Sequence, residues 1–459
     1  MRRHSNPQGM LDFSPWDPKI RAELEIMNKV LREREEVLDL ILKDIRGDAD
    51  PDDGRPGMSA EQVLRVAITK QRYQLSYDLL YERLSDSINL KWFCKFEFQE
   101  VPSASTMQEN IKKLKPETLE AVNDALVSYA REKGLEDGKK VRIDSMAAET
   151  NIHYPTDARL ISDCVGVITR LLNRTRRILP QAGIAFNDRT RVVNKRVHAI
   201  TDCRKEDARK GLYADLIRLG KEVLQFAQDG IKKLRQVTGT EEEQELGQIM
   251  ADDINFIAEK LERIIDQTDR RVMKGEHVPA KDKIVSIFED HTDIIEKGGR
   301  ETVFGHKVCL SVGKRLVLDA LMPRGNPADS ALYSESLKRL VSKNDGRVPE
   351  SVAVDGGFTS QANDEFAREL GVKKVYFSKP SRRGVLSTIS AWQRKALRGF
   401  RAGIEGILST MMRVRGLTRC IWKGWESFQS YIWASIISEN LLRIARDLAK
   451  REAKAEASG

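Results

Sequence analysis

Residues 351–358 read SVAVDGGF: a short apolar run, an acid, then two glycines. Such a run bounded by a glycine turn predicts a buried strand over Ser351–Val354, with Asp355 at its carboxyl end and a helix from about Ser360. Acids in that position face a crevice in open sheets, so Asp355 reads as a functional group. Upstream, VFGHKVCLSVGKRLVLDALM (303–322) predicts strands Val303–Val312 and Leu316–Met322, joined at Gly313-Lys314-Arg315 as an antiparallel hairpin. GNPADSALYSESLKRLV (325–341) then predicts a helix with Asp329 as its N-cap. Downstream, VKKVYFSK (372–379) is one more strand, and a helix from about Ser390 carries Glu405.

Two further acids belong to the same question. KKVRIDSMAAETNIHY (139–154) is rich in β formers, and Val141, Ile143 and Met146 suggest a strand with Asp144 within it or at its end. By itself Asp144 is as readily a turn acid as a functional one, and Asp157 reads as a helix N-cap. Glu405 is the single acid between Lys379 and Lys423, among eleven Lys/Arg that include Arg382, Arg383, Arg398, Arg401, Arg413, Arg415 and Arg419. Taken alone it is a salt-bridge partner in a basic helix; its other use is to hold a divalent metal beside the phosphates those cations attract.

The rest of the chain reads as helix. Residues 18–45 form one amphipathic helix stopped by DADPDDGRPGM, and Ser59 with Gln62 makes a capping box for the next. Ser76 and Ser105 are candidate caps, and Pro116 opens a further helix. This all-helical domain, 1–137, carries Lys70, Arg72, Lys112, Lys113 and Lys115, and reads equally as a helix-turn-helix DNA reader or a packing module. Residues 158–281 show three long apolar stripes, Ile161 to Leu172, Leu212 to Phe226 and Leu246 to Ile264, with no strand among them. Their basic clusters read as solvated faces. Trp392, Trp422 and Trp425 flank the Glu405 helix; core packing outweighs base stacking for all three. Asp319 reads as a hairpin salt-bridge acid, and His153, His291 and His306 as packing or cap residues.

Composition adds bounds. The net charge of +9, from 78 Lys+Arg against 69 Asp+Glu in 459 residues, is too modest to identify a polyanion binder, so the clustering matters more than the sum. Five dispersed cysteines and the absence of a long apolar run predict a reduced, cytosolic chain that spans no membrane.

Without the helical block, the order is strand with Asp144, hairpin, helix, strand ending in Asp355, helix, strand, helix with Glu405. That order fits a ribonuclease-H-like α/β catalytic core (138–157 and 282–459) with an all-α N-terminal domain and a large all-α insertion after the first core strand (158–281). In such a sheet the first strand lies beside the fourth, so Asp144 and Asp355 can meet. The chain resembles the DDE transposases of bacterial insertion sequences. GRPGMSAEQVLRVAITKQRYQLSYDLLYERLSDSINLKWFCKFEFQEVPSASTM resembles their helical DNA-binding domain, VRIDSMAAETNIHYPTDARL the first-Asp segment, FGHKVCLSV with GNPADS the core hairpin and turn, VAVDGGF the second-Asp segment, and FRAGIEGILSTMMRVRGLTRC the final-Glu helix.

The resemblance implies that Asp144, Asp355 and Glu405 are a catalytic, metal-binding triad for Mg2+ or Mn2+, as two ions. It implies cleavage and strand transfer of double-stranded DNA at terminal inverted repeats and target DNA, by a homodimer or higher oligomer associated with the nucleoid. Arg401 matches the arginine of the family's Tyr-x2-Arg-x3-Glu-x6-Lys signature, whereas Arg398 stands at its Tyr position and Met412 at its Lys position, with Arg413 one residue later. On one continuous helix, Arg398 and Arg401 would share the face of Glu405 and clamp a phosphate, and Arg413, Arg415 and Arg419 would contact the DNA backbone further out. A catalytically inactive DNA-binding derivative and a nuclease of the same fold without strand transfer are the alternatives.

Overall fold

The computed structural model describes residues 18–47, 57–97, 99–296, 301–378 and 389–457. Residues 48–56 of the expected stop DADPDDGRPGM (48–58) and the cations Lys379, Arg382 and Arg383 lie outside the described residues. The chain forms two compact units, Met1–Asn151 with Ile295–Gly459, and Ile152–Ile294. No helix among the described residues is long and apolar enough to cross a membrane.

The first unit begins with α1 (Pro18–Arg32), α2 (Val37–Arg46), α3 (Ala60–Tyr73), α4 (Tyr77–Asp86), α5 (Ile88–Phe93), α6 (Ala104–Lys112) and α7 (Pro116–Glu132), followed by β1 (Lys140–Glu149). The second unit holds α8 (Asp157–Ile178), α9 (Thr190–Asp202), α10 (Glu206–Arg235) and α11 (Glu241–Thr268), which ends in a π-helical turn, Asp269–Met273. The chain continues through β2 (Asp293–Ile295), β3 (Val303–Val312), β4 (Val317–Leu321), α12 (Asp329–Ser342), β5 (Ser351–Val354), α13 (Gln361–Glu369), β6 (Lys374–Phe377), α14 (Ala391–Ala402), α15 (Ile404–Val414) and α16 (Trp425–Glu456).

One mixed sheet runs in the order β2-β3-β1-β5-β6, with β4 paired to β3. β1 is antiparallel to β3 and parallel to β5, and β5 is parallel to β6. Val141, Ile143, Val352 and Val354 are fully buried, the pattern of central parallel strands covered on both faces. The register pairs Ile143 with Val354, so Asp144 and Asp355 each follow the last paired residue and stand side by side. The hairpin and the β5 strand form where the sequence predicts them.

Local signals hold in part. Ser59 and Gln62 form their capping box, Ser76 caps α4, and Pro116 opens α7. The first helix is broken into α1 and α2. Ser103 replaces Ser105 as the cap of α6, and Thr156 replaces Asp157 as the cap of α8. Asp329 is the first residue of α12 and caps nothing.

The N-terminal helices share one hydrophobic core with the sheet, so they form one unit with it. The reason is α16. Its stretch from Phe428 to Ala445 is buried almost all round. It packs on α1, α3 and α7. Small polar residues allow this burial by keeping their hydrogen bonds internal: Ser435 Oγ donates to Tyr431 O at 2.9 Å, and the Asn440 side chain bonds both Val317 and Asn123.

Two cations expected on the surface are buried by the same packing. Lys70 is 2% exposed, donates to Leu75 O at 2.9 Å and faces the Tyr77 and Trp422 rings; Arg72 is ion-paired with Glu23. Neither is placed to read DNA. Burial pushes the Lys70 ammonium down to about 8. Below that pH the folded and unfolded chains both carry the proton and the burial penalty is complete. Between about 8 and the unfolded value the folded chain sheds its proton first, so stability rises with pH. Lys70→Met, which keeps the length but orphans the Leu75 carbonyl, should therefore stabilise the protein by about 1–2 kcal/mol at neutral pH. The gain should shrink as urea unfolding is repeated at increasing pH above 8; a pH-independent difference would contradict the assignment.

The second unit has its own core. Ile161, Val165, Ile168 and Leu172 of α8, Leu216, Leu219 and Val223 of α10, and Met250, Ile254, Leu261 and Ile264 of α11 meet there, which is the stripe pattern of the sequence realised as a helical bundle.

Candidate active site

Three acids from three separated parts of the chain gather around one arginine. Asp144 comes from the middle of β1, Asp355 from the carboxyl end of β5, and Glu405 from the first turn of α15. The Arg401 guanidinium lies 3.1 Å from Asp355 Oδ1, 3.7 Å from Asp144 Oδ2 and 4.0 Å from Glu405 Oε1. All three are ion contacts, the first the closest. Asp355 also accepts from Ser378 Oγ at 2.7 Å, and Asp144 Oδ1 from the Ser145 N–H at 2.8 Å.

The carboxylates differ in environment. Asp144 is nearly enclosed, whereas Glu405 stands in solvent with its side chain 71% exposed. Burial pushes the Asp144 carboxyl up to about 6, and the neighbouring Asp355 and Asp329 charges add to that, against the Ser145 N–H and Arg401. The Arg401 Nε is buried without a hydrogen-bond partner. A crowd of acids held by one monovalent cation gains from added positive charge, and its donors are all carboxylate oxygens, the set that suits Mg2+ or Mn2+. The donors fit such an ion by chemistry. Among the described residues, however, no three His, Cys, Asp or Glu side chains stand close enough to hold one ion as they are placed.

The helix that delivers Arg401 and Glu405 is not continuous. It breaks at Gly403, between α14 and α15. The cause is Arg142, which shares a face of β1 with Asp144. Its guanidinium lies over the Phe400 ring at 4.6 Å and donates to Phe400 O at 2.6 Å and Lys314 O at 3.2 Å. Phe400 O is the acceptor that residue 404 would use in an unbroken helix, so an inserted side chain has replaced a rung of the ladder. A Cβ on Gly403 would sit 2.5 Å from Arg142 Nη1, which explains the glycine. Arg142→Ala removes this strut and leaves a buried carbonyl unpaired; unfolding in urea should show a loss of about 2–3 kcal/mol. A loss under about 1 kcal/mol would show that the break does not depend on Arg142.

The expected outer cations divide. Arg398 and Arg413 are exposed, and Arg419 is exposed beside the end of β1, where Cys420 N donates to Glu149 O. Arg415 is corrected: it is 4% exposed, its Nε is 2.7 Å from Glu439 Oε2, and its Nη1 donates to Arg72 O at 2.7 Å. It ties the end of α15 to α3 and α16 and offers nothing to DNA. Met412 is half-buried against the core, so an apolar contact occupies the lysine position of the signature. Trp422 is buried, but Trp392 is 78% exposed and packs into no core. Asp319 faces Arg339 and Lys343, as a salt-bridge acid should.

Sequence reasoning missed Arg142, Ser378 and Asp329. Asp329 accepts from Ser145 Oγ and pairs with Lys307, both at 2.9 Å, so it belongs to the surroundings of Asp144. The available signals were strand alternation from Asp144 to Arg142 and the position of Asp329 after the hairpin.

Two family models match the chain: a transposase domain (DUF772) over residues 18–113 and a transposase DDE domain over residues 258–441. The second takes in Asp355 and Glu405 and begins after Asp144, within α11. No curated protein and no solved structure matches. The two matches, in this order and spanning more than half of the chain, establish that it belongs to the DDE transposases of insertion elements.

Proposed function

We propose that the protein is an active transposase that cleaves DNA at the ends of its element and joins those ends to target DNA, using Asp144, Asp355 and Glu405 as its metal-holding triad. The observation that carries this reading is the convergence of the three acids on Arg401, although 211 residues separate the first from the second. The strand order β4-β3-β1-β5-β6, with only β3 antiparallel to its neighbours in the chain of pairs, supports a ribonuclease-H-like core.

The triad would hold two Mg2+ or Mn2+ ions, which supply the Lewis acidity for in-line displacement at phosphorus. The protein's own residues do the rest. Arg401 draws the three carboxylates together through its ion contacts. Ser378 orients Asp355 through its hydroxyl. Arg398, with Arg394 and Lys395, lines a cavity of about 410 Å³ that also includes Tyr376 and, among the described residues, no acid, a surface suited to a phosphate backbone. Arg413 and Arg419 are exposed and would supply further contacts to the DNA backbone. The helices of residues 1–137 would recognise the terminal repeats, and residues 158–281 would act as an inserted module, within a homodimer or higher oligomer.

The test is a reaction of the purified protein with DNA carrying the inverted repeats that flank its gene. Joining that requires Mg2+ or Mn2+ and the repeats is the expected result. Cleavage without joining or repeat preference would instead identify a nuclease, and binding without either reaction an inactive derivative.

A further inference from the structure

The helical unit carries a cavity of about 410 Å³ of its own, far from trivial in composition. Its volume falls within the range of small-ligand pockets, about 300–1,000 Å³, and is too small for a duplex. Tyr154, from the loop before α8, and Tyr213, from the second turn of α10, supply aromatic wall. Arg209 and Lys210 lie four and three residues before Tyr213, so both cations share its helix face about one turn away.

The remaining wall is fixed. Arg271, in the π-helical turn that ends α11, reaches Asp157 at 2.8 Å, and Gln267 donates to the same carboxylate at 2.7 Å. π-Helical turns recur at functional sites. Asp157 is buried and satisfied, so its charge is already compensated. Glu206 also lines the cavity and lies 3.6 Å from Lys210, a solvent-exposed pair that an anion can displace at little cost. Arg209 has no ion pair among the described residues, although it lines the cavity. Rings beside Arg209 and the weakly paired Lys210, at one-turn spacing, match a ligand that carries a flat ring and a phosphate.

We propose that this cavity binds a single nucleotide, its base against the tyrosines and its phosphate on Arg209 and Lys210. The source is either a free nucleotide or an unpaired position of single-stranded DNA. The proposal needs none of the catalytic triad.

Photocrosslinking of the full-length protein tests it. The probe is a short single-stranded oligonucleotide containing iododeoxyuridine, with crosslinked peptides identified by mass spectrometry. Crosslinks should map to Tyr154 or Tyr213, and Arg209→Ala and Tyr154→Ala should each cut that yield by about five- to tenfold. Both side chains are exposed, so neither change opens the core. Suppression by dTMP would identify the source as a free nucleotide, and suppression by unlabelled single strand alone would identify unpaired DNA. Crosslinks confined to other peptides, unchanged yield in both variants, or equal suppression by duplex or by poly-glutamate would overturn the proposal. The assay involves no cleavage, so its failure leaves the catalytic reading standing.

Discussion

Asp144→Asn should leave the protein folded and able to bind its DNA while lowering strand transfer by at least about a thousandfold. Asparagine keeps the shape of the side chain and removes the charge that a divalent ion needs. Asp355→Asn and Glu405→Gln should do the same. The three should differ in their effect on stability in the absence of metal. Asp144 is an enclosed carboxylate beside two other acids, so its replacement should leave the melting temperature unchanged or raised. Glu405 stands in solvent and its replacement should not move it. Asp355→Asn loses the ion pair with Arg401 but keeps an oxygen that can accept from Ser378, so a modest fall is expected. Strand transfer retained in all three variants would remove the triad assignment.

Arg415→Ala should be the most damaging single change among the arginines around the catalytic helices, costing about 3–5 kcal/mol. Both members of the Arg415–Glu439 pair are buried, with side chains 5% and 6% exposed. Removing one leaves Glu439 with Arg443 as its remaining ion-pair partner and orphans the Arg72 carbonyl. Arg413→Ala, two residues away but exposed, should leave the unfolding midpoint within about 0.5 kcal/mol of the parent and instead lower DNA affinity with a shallower salt dependence. Equal stability of the two variants, measured by urea unfolding, would show that Arg415 does not tie the helices together.

The contrast between these arginines explains what sequence could and could not reveal. A short apolar run before Asp-Gly-Gly identifies a buried strand by local pattern, so β5, the hairpin and Asp355 are legible. The stripes of the helical unit are legible for the same reason. A cation's depth is a different property, decided by partners distant in the chain. Lys70 and Arg72 look like surface charges until Trp422 and Glu23 close on them, and Arg415 looks like its neighbour Arg413 until Glu439 and the Arg72 carbonyl are in place. The break at Gly403 is only partly hidden: Gly399, Gly403 and Gly406 weaken the helix locally, but the side chain that fixes the break comes from β1. Asp329 was misplaced because a carboxylate at a helix start is usually a cap; here Ser145 and Lys307 claim it.

The burial of α16 against α1, α3 and α7 has a consequence for how the protein is made. Synthesis proceeds from the N-terminus, yet the helices that emerge first lack the apolar surface that completes their core until α16 leaves the ribosome. The expected DNA-reading part therefore has no folded life ahead of the catalytic part. A chain stopped short of α16 should be open to proteolysis, and under the proposed function it should not compete for DNA with chains that carry α16.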